Sequence, residues 1–130
     1  MFALIKIQAM IPDFTESELD TVQTLSQQRF RREIQLRRAD AELRLGTDPQ
    51  ELTECPTLFF RERDCNFAIF KTGFSEYRCQ FFYNPSDQYG TGHTHYNDLT
   101  ECVAALLQTQ ADHARETQGV ASGATGENLL

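Results

Sequence analysis

His93 and His95 are the residues of this 130-residue chain whose type and spacing are best suited to chemistry. In an extended segment, residues i and i+2 point to the same side, so two imidazoles can bind one metal ion. A third ligand would have to come from Asp98, Glu101 or His113. Two histidines do not make a metal site, and Asp98 and Glu101 also match a helix-capping pattern. The sequence therefore favours an exposed polar loop with no metal, and a site of His93, His95 and His113 is the alternative.

The glycine-containing segments of the chain do not match the motifs that bind nucleotides or activate nucleophiles. Gly90-Thr91-Gly92 lacks the third glycine of a dinucleotide-binding loop. The segment from Gly73 to Tyr77 lacks the second glycine of a nucleophile elbow. We therefore predict a non-catalytic protein without a cofactor. A small metal-dependent enzyme centred on the two histidines remains the alternative function.

The charge of the chain is acidic and unevenly distributed. The formal net charge is −7, which argues against nucleic acid or an anionic membrane as the principal partner. Residues 29–45 carry six arginines and three acids, whereas residues 84–130 carry six acids and one arginine. Acids interleave with the arginines, which favours a solvated, salt-bridged surface there. The acidic second half instead favours a protein partner with a basic surface.

The polar connection at 84–96 and the segment after it contain side chains that suit a protein interface. Aromatic side chains anchor interfaces, and carboxylates at the rim speed association. The residues predicted to bind a partner are Asp87, Tyr89, His93, His95, Tyr96 and Asp112. Such a domain could be an immunity protein that neutralises a basic toxin, or a dedicated chaperone or assembly factor. A homodimer or larger homo-oligomeric structural protein, built on spare phenylalanines of the central strands, is a third possibility.

The aromatic stretch at 57–83 must form the centre of the fold. Its apolar residues alternate with polar ones, which is typical of half-buried strands, and residues 58–60 supply a further strand. A three-residue turn centred on Gly73, with a positive φ at that glycine, would pair Ile69 with Tyr77. A two-residue turn would slip the register by one and exchange the two faces. The sequence therefore favours the three-residue turn.

The first third of the chain predicts a strand at 2–10 and a helix that begins after a capping box at 15–18. That helix should continue to about Arg31. Residues 32–45 consist of good helix formers, but their apolar positions fit alternation better. We therefore expect two short strands around a turn at 37–40, with one long helix as the alternative.

The last third predicts a second helix, opened by a capping box at 98–101. Residues 118–130 are rich in Gly, Ala and Ser and should form a flexible tail. Together these elements predict one α+β domain at 1–117, with an antiparallel sheet and two helices on one face.

The four cysteines are widely spaced and predict small core residues in a reducing compartment. The first twelve residues lack the pattern of a signal peptide and are too short to span a bilayer. A cytoplasmic location follows as the expectation.

Overall fold

The computed structural model of this chain describes residues 11–46 and 50–121, with side chains described through residue 117. The elements are α1 (Glu16–Phe30), β1 (Arg37–Leu43), β2 (Thr53–Glu62), β3 (Cys65–Gly73), β4 (Glu76–Phe82), β5 (Gln88–Tyr89) and α2 (Leu99–Ala121). The strands form one antiparallel sheet in the order in which they occur along the chain. The predicted α+β class is therefore confirmed. The strand predicted at 2–10 lies outside the described residues.

Local hydrogen bonds fix both ends of helix α1. The Thr15 hydroxyl accepts from the Glu18 amide at 3.1 Å, and the Glu18 carboxylate accepts from the Thr15 amide at 2.8 Å. These two bonds form the predicted capping box. At the other end Arg31 adopts a left-handed conformation with φ 59°, and its amide donates to the Gln27 carbonyl. The predicted start and end of this helix are confirmed.

The segment after α1 forms one strand, so both predictions for 32–45 were wrong. Strand β1 runs straight through 37–40, where a turn was expected, and pairs with β2 over its full seven residues. Sheet pairing gives the backbone groups of this segment regular hydrogen-bond partners. A local hairpin of two very short strands would leave more of those groups to water and would be marginally stable.

The central hairpin has the predicted buried face but a different register. Ile69 pairs with Cys79 and Phe67 pairs with Phe81, so each partner lies two positions beyond the predicted one. Because side chains alternate with period two, a shift of two leaves the same residues on the same face. The residues of β3 and β4 that are buried on this face include Cys65, Phe67, Ile69, Tyr77 and Phe81.

The register differs because of the shape of the turn. Residues 74 and 75 form a two-residue turn, and the pairing is irregular between Lys71 and Gly73. An irregularity of this kind, as in a β-bulge, inserts one residue into one strand and offsets the slip of the shorter turn. The predicted positive φ at Gly73 was wrong, because Gly92 (φ 95°) is the glycine with a positive φ among the described residues.

The two helices lie side by side on the buried face of the sheet, as predicted. The two helices are in contact, with the first half of α1 beside Thr100 at the start of α2 and its second half beside Leu107 and Ala111. The helices therefore run in the same direction, with both N-termini at one end of the molecule. Fully buried side chains of the shared core include Val22, Leu58, Phe60, Phe67, Ile69, Phe81, Val103 and Leu106.

Two elements of the second half of the chain differ from the sequence predictions. The predicted connection at 84–96 contains the short strand β5, and α2 continues to Ala121, beyond the residue where the tail was expected to begin.

Cys55, Cys65 and Cys102 are buried, Cys79 is half-buried, and all four are free thiols. Among the described residues, no helix combines the length and the hydropathy that crossing a bilayer requires.

Candidate functional site

Tyr89, a predicted binding residue, lies in an aromatic cluster rather than on an open surface. Its ring stacks on Phe81 at 5.2 Å between centroids and lies 4.5 Å from the ring of His113. Tyr83 completes the cluster, with its hydroxyl 3.3 Å from His113 Nδ1. Tyr89 is half-buried, so it is less exposed than the sequence suggested. The burial depends on α2, which the local sequence around Tyr89 does not show.

Tyr96 and the two loop histidines form a separate group. The backbone of Tyr96 bridges that of Tyr77 with two hydrogen bonds of 2.8 Å, and its hydroxyl bonds with Thr91. The His93 ring lies 5.5 Å from the Tyr96 ring, and both His93 and His95 are exposed. Across 11–46 and 50–121, no three His, Cys, Asp or Glu residues are grouped so that they could hold a metal ion.

The two predicted rim carboxylates have different surroundings. Asp87 is exposed in the loop before β5, where its amide donates to the Asn84 carbonyl at 3.0 Å. Asp112 is half-buried on α2, forms an ion pair with Arg115 and accepts from Gln108 at 3.0 Å. The charge of Asp112 is therefore partly compensated within its own helix.

Phe74 is a candidate contact residue that was not predicted from the sequence. It lies at the tip of the hairpin between β3 and β4, and 82% of its surface is exposed. Gly, Asn, Asp, Ser and Pro dominate turns because each favours the required backbone conformation. A phenylalanine in a two-residue turn contributes nothing comparable, and this mismatch is the signal that could have identified it.

A buried polar network holds the base of this hairpin. Lys71 is only 2% exposed, and its ammonium donates to the Glu18 carboxylate at 2.8 Å and to the Asp13 carbonyl at 3.1 Å. The Tyr77 hydroxyl also donates to Glu18. Burial alone would raise the pKa of Glu18, but the bonds from Lys71, Tyr77 and the Thr15 amide outweigh it and lower that pKa. The network fastens the hairpin to the first turn of α1.

Carboxylates surround the same end of the molecule. The helix N-termini meet there, and the bridge between Tyr77 and Tyr96 brings the start of α2 to the base of the hairpin. We call this region the acidic end and define it by five exposed residues: Glu16, Asp20, Glu76, Asp98 and Glu101. The charge distribution along the sequence predicted an acidic surface in the second half of the chain, whereas folding brings together acids from both halves.

The buried thiols are not activated nucleophiles. Burial raises the pKa of the Cys55 thiol, and it raises the pKa of Cys65 to about 11. A hydrogen bond with Cys79, together with burial, raises the pKa of Cys102. Since the thiolate is the reactive form, these three cysteines are protonated and unreactive at neutral pH.

The chain was compared with protein-family models, with curated proteins and with solved structures. None of the three comparisons gave a significant match.

Proposed function

We propose that this chain is a non-catalytic protein-binding domain that engages its partner through Phe74 and the acidic end. The observation that carries the proposal is the 82% exposure of Phe74 on a short, fastened turn. An aromatic ring buries a large apolar area when a partner covers it. Aromatic residues are accordingly enriched in the buried centre of protein interfaces.

The fastening of the hairpin supports a contact role for its tip. Binding costs free energy when loops and side chains must become ordered, and a rigid loop lowers that cost. Lys71 and Tyr77 hold the hairpin against Glu18 before any partner arrives. Phe74 is therefore presented on a preorganised support.

The charge around Phe74 indicates the chemistry of the partner. Exposed carboxylates attract a basic surface over several ångströms and repel acidic proteins. We infer a partner with a basic surface and an apolar pocket for the phenyl ring. A basic toxin neutralised by an immunity protein, or the client of a dedicated chaperone, would have this character. Four free cysteines favour a reducing compartment such as the cytoplasm.

Affinity capture with the Phe74→Ala variant tests the proposal. We expect the tagged wild-type chain, produced at native level in its own cell, to retain a basic protein that mass spectrometry identifies. Phe74→Ala should weaken the complex by about 2 kcal/mol, as for an interface hot spot. Its thermal midpoint should match that of the wild type, because the side chain packs against little.

Phe82→Ala is the matched control, since Phe82 is also a phenylalanine of this hairpin but lies half-buried at the end of β4 away from the tip. The control should retain the partner in full. Equal retention by Phe74→Ala and wild type would refute the assignment of Phe74. Capture of nothing but a second copy of this chain would replace the proposal with the homodimer alternative.

A further inference from the structure

A cleft of about 510 Å³ opens at the end of the helix pair opposite the acidic end. It lies between the last turn of α1, the turn from β2 to β3, the end of β4 and the second half of α2. Its polar lining consists chiefly of Arg29, Arg63, Tyr83, Gln110, His113 and Arg115. This volume is typical of sites for small molecules.

Two arginines of the cleft meet on one aromatic ring. The guanidinium carbons of Arg29 and Arg63 lie 4.9 and 5.4 Å from the centroid of the Phe30 ring. Burial, and to a lesser degree the charge of Arg63, lowers the pKa of Arg29. Both cations lie against the same ring, which attracts each of them electrostatically.

No carboxylate compensates this pair within the part of the chain that the structure describes. Two nearby arginines outside the cleft do pair with carboxylates: Arg32 pairs with Glu62 at 3.7 Å, and Arg61 pairs with Asp64 at 3.6 Å. Arg29 and Arg63 form no ion pair with a described residue. A third lining arginine, Arg115, pairs with Asp112, so Arg29 and Arg63 are the arginines of the cleft that no described carboxylate compensates.

Two buried polar atoms in the wall of the cleft also have no hydrogen-bond partner. They are Arg29 Nε, a donor, and Gln110 Oε1, an acceptor. Gln110 is only 4% exposed, and its amide nitrogen donates to the Tyr83 hydroxyl at 3.1 Å, which leaves the amide oxygen without a partner. Buried polar groups are nearly always satisfied, so each of these two atoms can bond with a ligand or a water molecule that enters the cleft.

The backbone of Arg63 is strained. It and Asp64 form the two-residue turn between β2 and β3 with φ values of 53° and 62°. Such turns strongly prefer Asn-Gly or Asp-Gly, because L-residues with larger side chains are strained at positive φ. A strained residue that lines a cleft is often there for its side chain.

We propose that this cleft binds a small organic anion, a carboxylate or phosphate monoester that carries an apolar body and a hydroxyl group. Arg29 and Arg63 bind the anion through charge-assisted hydrogen bonds, which are stronger than neutral ones. Ala111 and Ala114 contact the apolar body. Gln110 accepts from the hydroxyl group. The inference is independent of Phe74, which lies at the other end of the molecule.

Calorimetric titration of the full chain tests this site with three probes. 4-Hydroxybenzoate supplies a carboxylate, 4-hydroxyphenyl phosphate supplies a phosphate monoester, and phenol supplies the ring and the hydroxyl group without an anion. We expect saturable binding of at least one of the two anions, with phenol at least about tenfold weaker, as for the loss of a charge-assisted bond. The anion that binds more tightly identifies the headgroup. Saturation by neither anion at roughly 10 mM, or equal affinity for phenol, would overturn the proposal.

Arg63→Gln and Arg61→Gln form a matched pair of variants on the same hairpin. Both remove one positive charge, but only Arg63 lines the cleft. Arg63→Gln should weaken binding of the anion by about tenfold or more, whereas Arg61→Gln should change it by less than about twofold. Equal weakening by both variants would mean that the anion senses only overall charge, which would overturn the site. Thermal unfolding of each variant verifies that the hairpin is intact.

Discussion

At the scale of single residues, Glu18 is the side chain that holds the hairpin of β3 and β4, which carries Phe74, against α1. Lys71, almost fully buried, has its ion pair with this carboxylate. Glu18→Gln would leave that ammonium buried without a counter-charge, and such changes are strongly destabilising. We expect the free energy of unfolding to fall by about 3 kcal/mol, measured by urea denaturation. Glu16→Gln, an exposed carboxylate in the same helical turn, should change it by less than about 0.5 kcal/mol.

The pH dependence of stability offers a second measurement on Glu18. Its hydrogen bonds, working against burial, hold its pKa in the folded protein below the ordinary 4.5. The carboxylate therefore contributes its full stabilisation above about pH 4.5, and that contribution is lost as the pH falls through the lower folded pKa. Between about pH 5 and pH 3, the unfolding free energy of the wild type should fall more steeply than that of Glu18→Gln. Parallel curves would contradict this assignment.

At the scale of elements, the end of α1 carries a removable strain. Arg31 terminates the helix at φ 59°, a conformation in which glycine has no steric penalty. Arg31→Gly should raise the free energy of unfolding by about 0.5 to 1 kcal/mol, measured by denaturant titration. Arg32→Gly is the control, because Arg32 does not have a positive φ. It should lower stability through the flexibility that glycine adds to the unfolded chain, and a gain equal to that of Arg31→Gly would disprove the strain.

The same elements show which features a sequence can predict. The capping box at Thr15 depends on neighbouring residues, so its pattern identified the helix start. Strand β1 depends on pairing with β2, which lies further along the chain, and alternation within 32–45 could not reveal that partner. The alternation of apolar and polar residues predicted which face of the β3–β4 hairpin is buried. Its register depended on an irregularity between Lys71 and Gly73, which no residue type in the sequence indicates.

The two candidate sites also differ in whether the sequence could reveal them. Phe74 could have been found from sequence, because a large apolar residue in a tight turn is unusual. The meeting of Arg29 and Arg63 could not, since they come from different elements that converge on Phe30 only after folding. The sequence instead suggested a salt-bridged arginine surface, which holds for Arg32 with Glu62 but not for these two residues.

At the scale of the whole molecule, the net charge of −7 conceals two opposed regions. Because α1 and α2 run in the same direction, their acidic N-terminal turns share one end with Phe74. The arginine-lined cleft lies at the other end. If the proposed function holds, a basic partner would be oriented before contact, with its cationic surface toward the hairpin. Charge position, and not only total charge, should control the rate of association.

Association kinetics with the protein captured through Phe74 test this orientation. The double variant Glu16→Gln/Asp20→Asn removes two charges from the acidic end, and Glu33→Gln/Asp64→Asn removes two exposed charges from elsewhere. At roughly 0.05 M salt the first should slow association several-fold, and at about 0.5 M the difference should vanish, because the Debye length shrinks to a few ångströms. Phe74→Ala should instead speed dissociation, since a desolvated aromatic contact acts after encounter. If both double variants slowed association equally, total charge would explain the rate and the oriented approach would be wrong.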